Sequence, residues 1–291
     1  MEQTPFQRFL SGYCESRLAI AAFVLLMAIL FIAVFAPLIS PQNPYDLSQL
    51  DVLDARLEPG AKLGNGKTAL LGTDDQGRDM LSGIFYGMRI SLFVGFTSTV
   101  LALLIGAFVG MTAAWLGGRT DNFLMRIADI QLSFPPILIA LILLALLGQG
   151  LGKIITALVT VQWAYYARTI RGAALVERRR EYIEAAQVLA LPASRIVFRH
   201  LLPNCLPPLI VIATVQVASA ITLEATLSFL GLGLPITEPS LGLLIANGFN
   251  YLMSGKYWIS MYPGVALVLM VIAINLVADQ LRDVLNPRLQ K

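Results

Sequence analysis

The chain has 291 residues, of which 57% are Ala, Val, Ile, Leu, Met, Phe, Trp, Tyr or Cys and only 13% are charged, against about 25% charged in soluble domains, so it is too apolar for water. Its two cysteines, Cys14 and Cys205, and its single histidine, His200, exclude a disulfide framework, a cysteine-based zinc or iron-sulfur site and any multi-histidine metal site. A net charge of +3 is too small to argue for nucleic acid, so the positions of the 21 basic residues matter more than their number.

A bilayer core about 30 Å thick takes about 20 apolar helical residues to cross, and charge-free stretches of that length predict the spans. The first has Leu18 to Ile39 as its body, with Pro37, Pro41 and Pro44 at its exit. It is too long for a signal peptide and lacks the small-residue cleavage site. Residues 40–89 follow as a loop region of mixed Asp, Pro and Gly. Within it Gly66, Lys67 and Thr68 mimic the end of a phosphate-binding loop. Ala61 stands where the first glycine is needed, no apolar strand precedes it and no helix starts there, so that match is rejected.

The second span lies between Arg89 and Arg119. Its Gly106 and Gly110 are spaced to let another helix approach closely, although glycine is also simply common in membrane helices. Thr120 to Leu132 has a polar side and predicts a helix along the membrane surface. It leads into a third span, Pro135 to Leu147, where Pro135 and Pro136 mark a start or a kink. The fourth, Leu151 to Ile170, has a short neutral centre between Lys153 and Arg168, which can snorkel to opposite interfaces. The inner segment from Arg171 to Asn204 interleaves Glu177, Glu181 and Glu184 with Arg178, Arg179 and Arg180, while Ile183, Val188, Leu189 and Leu191 form an apolar side. It reads as a solvated surface helix or as a surface for a cytoplasmic partner. The fifth span, Leu206 to Phe229, contains Glu224, and the sixth runs from Tyr257 to Ala278.

Six spans put both termini on one side. That side holds Arg8, Arg17, Arg119, Arg126, Arg168, Arg171, Arg178, Arg179, Arg180, Arg195, Arg199, Arg282, Arg288 and Lys291, and the other holds Arg56, Lys62, Lys67, Arg78, Arg89, Lys153 and Lys256. The excess of positive charge assigns the termini and the segment from Arg171 to Asn204 to the cytoplasm. No metalloprotease, nucleophile-elbow or paired-aspartate motif is found, which speaks against an enzyme. A lone carboxylate in hydrocarbon is costly, so Glu224 lines a substrate path, anchors two helices by hydrogen bonds, or sits near the outer interface. His200 reads as a polar residue at the membrane edge rather than a proton relay.

Glu181 to Ala190, followed by Arg199-His200-Leu201-Leu202-Pro203-Asn204, closely resembles the E-A-A, three residues, G, nine residues, I-x-L-P signature of the integral membrane subunits of bacterial ABC importers. Ala190 stands where that signature has glycine and His200 where it has isoleucine. The likeness continues at residues 71–79, 87–92, 133–135, 224–233 and 281–288, and is to the C-type permease of the dipeptide, oligopeptide and nickel importers. The resemblance implies an all-α membrane protein with the type I ABC importer permease fold and six transmembrane helices. Its divisions are a cytoplasmic N-terminus at 1–17, a first span at 18–39, an extracytoplasmic region at 40–89 and a permease core at 90–291 that includes the coupling loop 171–204. It also implies a homologous second permease, two ATPase subunits that bind ATP and Mg, an extracytoplasmic solute-binding protein, and a place in the bacterial inner membrane with lipid around it; this chain binds no cofactor and no nucleic acid.

By the same resemblance Glu184, Ala185, Ala186, Ala190, Leu202 and Pro203 couple the chain to the ATPases. Asp74, Asp75, Arg78 and Asp79 either dock the binding protein and gate the path or merely brace their own loop. Alanine takes a left-handed turn less cheaply than glycine, by about 1 kcal/mol, so the turn at Ala190 is expected to differ. Peptides are the expected cargo, with nickel chelates or other small solutes as alternatives. An ion-coupled secondary transporter is the rival mechanism, and Glu224 is thin support for it.

Overall fold

The computed structural model describes residues 12–46, 48 and 50–285. The expectations that rest on Arg8, Asn286, Pro287, Arg288 and Lys291 lie outside the described residues. Helix α1 (Arg17–Ile39) starts where the Ser16 hydroxyl accepts the Ala19 amide at 3.3 Å, which satisfies one donor of the first turn. It is apolar on every side and packs along the outer cluster formed with Met80, Ile84, Trp258 and Met270. The segment after it holds a short hairpin of β1 (Ala61–Lys62) and β2 (Thr68–Ala69), antiparallel with Ala61 opposite Ala69. Gly66, Lys67 and Thr68 therefore belong to the turn and second strand of a hairpin, with no helix behind them to cradle a phosphate.

Helix α2 (Met80–Leu116) has 37 residues and is about 55 Å long. It begins at Met80, well before Arg89 where the span was expected, because the Asp79 carboxylate accepts the Ser82 amide at 2.9 Å and caps it. The region 40–89 is thus a loop only as far as Asp79. Gly117 and Gly118 both take left-handed φ, 64° and 56°, and turn the chain into α3 (Gly118–Ser133). After Pro135 comes α4 (Pro136–Leu147), bent 91° from α3. With 12 residues, or about 18 Å, α4 is too short to cross a bilayer alone, and this corrects the expected third span.

Helix α5 (Leu151–Glu177) lies against α2 at Gly106 and Gly110. A β-carbon on Gly106 would clash with the Trp163 carbonyl, and one on Gly110 with that of Ala167. The small-residue spacing is used for close helix approach. Arg171 pairs with Asp121 and Arg168 with Asp129, clamping α3 to α5. Helix α6 (Glu181–Val188) leads through a helical turn, Ala193–Arg195, and a π-helical stretch, Ile196–Leu201, straight into α7 (Leu202–Phe229). Then come α8 (Leu241–Phe249), capped by Ser240, and α9 (Trp258–Leu285).

Among the described residues four helices are long and apolar enough to cross a membrane, or five when α3 and α4 count as one broken span. This is fewer than the six expected. Helix α5 is not among them, although its 27 residues are long enough to cross. Two further apolar clusters complete the core. One joins α2, α5, α6 and the start of α7 through Tyr166, Ile183, Ala186, Ile196 and Leu201; the other joins α4, α5 and α7 through Leu144, Leu158 and Leu227.

Candidate functional site

The segment that follows α5 is built outward from that helix. Arg178 folds back to donate to the Ala114 and Trp115 carbonyls at 2.8 and 3.0 Å, with its guanidinium 5.4 Å from the Trp115 ring centre. A cation at the C-terminus of α2 meets the negative end of that helix, so this arginine is spent inside the chain. Arg179 and Arg180 remain exposed. Tyr182 donates to Glu177 at 2.7 Å; partial burial and then the Glu177 carboxylate push its phenol up to about 12.

Helix α6 presents two unlike faces. Ile183 and Ala186 are buried in the inner cluster, against Ile196 and Leu201, and Leu191 packs on them. Glu184 and Ala185 point outward, and so do Val188 and Leu189, at 86% and 73% exposure. The apolar side read from the sequence is therefore divided, with Ile183 and Leu191 serving the chain itself and Val188 and Leu189 facing out. The helix ends on Ala190 at φ 51°. The Leu191 amide donates to the Ala186 carbonyl at 3.2 Å and the Ala190 amide to Gln187 at 2.9 Å, the paired bonds of a left-handed helix C-cap. The turn expected to differ for lack of a glycine forms all the same. Leu202 packs partly on the inner cluster, and Pro203 is exposed in the first turn of α7, where a missing donor costs nothing. The His200 side chain is half-buried and its carbonyl accepts from Asn204 at 2.7 Å.

One face of α7, together with α5, the start of α4 and α9, walls a cleft of about 1320 Å³. It runs from Leu223 and Thr226 near the outer end of α7 to Asn204 and Arg282 at the other. Its polar lining is mostly neutral, chiefly Gln162, Gln216, Thr222 and Asn275, and among the described residues Arg282 is its one charge. A smaller hollow of about 560 Å³ shares Asn204 and Pro208 with it and reaches Arg168 and Glu177.

Glu224 does not line that cleft. Its side chain is fully buried and accepts the hydroxyls of Ser91 and Ser228, each at 2.8 Å, and that of Ser240. The carboxylate thus ties α2, α7 and the cap of α8 together, the geometry of a helix anchor.

Of the residues expected to dock a binding protein or brace their loop, Asp74, Asp75, Arg78 and Asp79, most lie inside it. Asp74, Arg78 and Asp79 are at most 1% exposed. Asp74 accepts the Arg78 Nε at 2.7 Å and the amides of Gln76 and Arg78 at 2.9 and 2.8 Å, while Arg78 Nη1 donates to the Ile236 carbonyl at 3.2 Å. The Asp79 amide donates to Gln42 at 2.6 Å, and Trp258 Nε1 reaches the Thr73 carbonyl at 3.2 Å. Asp75 is half-buried, and burial, then its neighbour Asp74, raise its carboxyl above the usual range.

Sequence reasoning missed α8, the capping role of Arg178 and the serine partners of Glu224. Only α8 had a local signal, Ser240 ahead of Leu241-Gly242-Leu243-Leu244. The others depend on pairs far apart in the chain.

The family described as the binding-protein-dependent transport system inner membrane component matches residues 102–291, and the N-terminal transmembrane domain of oligopeptide transport permease C matches residues 4–59. A peptide transport system permease protein of Brucella suis, assigned there as putative, is 42% identical over 92% of this chain and 86% of its own length. The dipeptide transport system permease protein DppC of Escherichia coli K12 is 40% identical, over 99% and 95% respectively. The di/tripeptide permease DppC of Pseudomonas aeruginosa is 36% identical, over 99% and 93%. Among solved structures, an inward-facing form of the MetNI methionine ABC transporter aligns with TM-score 0.58 at 21% identity, over 71% of this chain and 98% of that one, which is a likeness of fold.

Proposed function

The chain belongs to the family of binding-protein-dependent transport system inner membrane components, and from that premise we propose that it is the peptide-permease subunit of an ATP-driven importer of the inner membrane. A binding protein delivers the peptide outside, a second permease faces this one, and two separate ATPase subunits bind ATP and Mg beneath. The chain crosses the membrane six times, with α3 and α4 as one broken span and α5 as another, and both termini are cytoplasmic. The charged ends of α5 favour this count, since Lys153 and Arg168 reach opposite interfaces.

The observation that carries the reading is the outer face of α6. Val188 and Leu189 are large apolar side chains held out in water next to Glu184 and Ala185, and burying each in a partner is worth about 1.5–3 kcal/mol. The helix is stiffly joined to its own chain: Ile183 and Ala186 seat it on the start of α7, and Tyr182 ties it to the end of α5. A push on its exposed face therefore moves α5 and α7, and both line the cleft. The cleft is this subunit's half of the translocation path. Its neutral amides and hydroxyls suit a zwitterionic peptide, which can exchange hydrogen bonds along the wall without a fixed countercharge to trap it.

At the outer loop, Asp74, Arg78 and Asp79 act as internal braces, and the binding protein meets the shape they hold rather than their side chains. Glu224 anchors helices and carries no proton for coupling. The deciding experiment is Ala185→Trp in the assembled transporter. The expected result is normal insertion with loss of both peptide uptake and peptide-stimulated ATP hydrolysis; normal coupling in that variant would refute the reading. Ala186→Trp is a poorer test, because Ala186 is 5% exposed and a tryptophan there would overpack the chain's own core.

A further inference from the structure

Helix α3 turns one face to α5, where Asp121 and Asp129 meet Arg171 and Arg168. Its opposite face bears Phe123, Ile127 and Ile130, exposed by 66%, 42% and 56%, together with Arg119 and Arg126. Both arginines are exposed and have no hydrogen-bond or ion-pair partner among the described residues. At 3.6 residues per turn these five side chains fall within one sector of about 100°, so cationic and apolar groups interleave on a single surface. Water leaves the apolar groups unburied, and hydrocarbon alone leaves the guanidinium groups unsolvated. A boundary between acyl chains and negatively charged headgroups satisfies both, with the arginine stems lying along the apolar surface.

At its start Gly117 and Gly118 take left-handed φ, at its end the chain bends 91° into α4, and between these joints Asp121, Asp129 and Gln131 meet Arg171, Arg168 and the Thr160 carbonyl along α5. Phe134 and Leu138, exposed by 57% and 50%, carry the apolar surface on into α4. We propose that α3 is the cytoplasmic half of the broken span and that Arg119 and Arg126 on it form a binding surface for anionic phospholipid headgroups. This rests on the inside-outside assignment made above. Because two ion pairs clamp α3 to α5, and α5 runs directly into α6, the headgroups hold the frame against which α6 moves.

The test uses the assembled transporter, reconstituted into vesicles of phosphatidylcholine with or without phosphatidylglycerol. A Cys14→Ser/Phe123→Cys variant, with Cys205 buried, carries a polarity-sensitive fluorophore, and brominated acyl chains report its contact with lipid. A basic residue near an anionic surface contributes roughly fivefold to affinity, so Arg119→Gln/Arg126→Gln is expected to lower phosphatidylglycerol retention by about 25-fold. The probe at position 123 is expected to be quenched by brominated lipid. An unchanged headgroup preference in the double variant overturns the proposal, as does a probe shielded by protein and untouched by brominated lipid. Labelling of position 123 by an impermeant thiol reagent from the extracytoplasmic side instead overturns the assignment of sides on which it rests.

Discussion

Ala190 holds a β-carbon in a backbone conformation that glycine adopts freely, and the two cap hydrogen bonds around it form regardless. The strain is therefore borne locally, and the outer face of α6 keeps its shape. Ala190→Gly is expected to raise stability by about 0.5–1 kcal/mol, the relief of the left-handed turn less the greater freedom of glycine in the unfolded chain. Thermal unfolding of the detergent-purified protein reads this, with uptake unchanged; a loss of stability would show the turn to be unstrained. Asp75 is the corresponding residue outside, with a raised carboxyl and a buried Oδ1 that has no hydrogen-bond partner. In the window between its ordinary and raised titration the folded state binds more protons than the unfolded, so stability falls as pH rises through it. Asp75→Asn is expected to stabilise the protein at neutral pH, with the gain vanishing below about pH 3.9, where the carboxyl is protonated in both states. A gain that persists in acid would contradict this.

The helices are held together less by apolar periodicity than by a few polar and small-residue contacts, because α1 and α4 are apolar on all sides and carry no amphipathic stripe. Glu224 illustrates the element scale. Its carboxylate joins Ser91 on α2, 133 positions away, to Ser228 on α7. Glu224→Ala strands these hydroxyls in a dry site at about 1–3 kcal/mol each, less whatever bonds they regain on their own helices. The expected outcome is a protein that unfolds at lower temperature while each correctly folded transporter imports peptide at the original rate. Undiminished stability with abolished uptake would place Glu224 in the substrate path instead.

For the whole molecule, the basic residues at the α6 end, the exposed face of α6 and the neutral cleft fit a machine driven from the cytoplasm by another subunit. Uptake is expected to survive collapse of the proton gradient and to stop when ATP is removed, measured in vesicles loaded with or without nucleotide. Uptake that follows the gradient would contradict an ATP-driven cycle. Among the described residues the cleft lining offers no acidic group of the kind an ion-coupled carrier needs at its centre, and its one charge there, Arg282, sits at an end.

Membrane class, the four long apolar helices and the basic inner loop were legible from the residues, since run length and charge are properties of consecutive positions. The resemblance of residues 181–204 to a known signature singled out α6, but it neither foresaw that the left-handed turn would form on Ala190 nor separated the outward Glu184 and Ala185 from the buried Ala186. The start of α2 was missed because Asp79 caps a helix whose first turns pack on α1, α8 and α9 rather than on lipid. The braces Asp74, Arg78 and Asp79 could not be told from a docking surface by composition, as only folding decides whether a charge faces water or a partner 158 residues along the chain, as Arg78 faces Ile236. Tertiary structure alone decided which side of each helix meets protein and which is free, because a helix that is apolar all round offers no preference until a neighbour's glycine, serine or arginine supplies one.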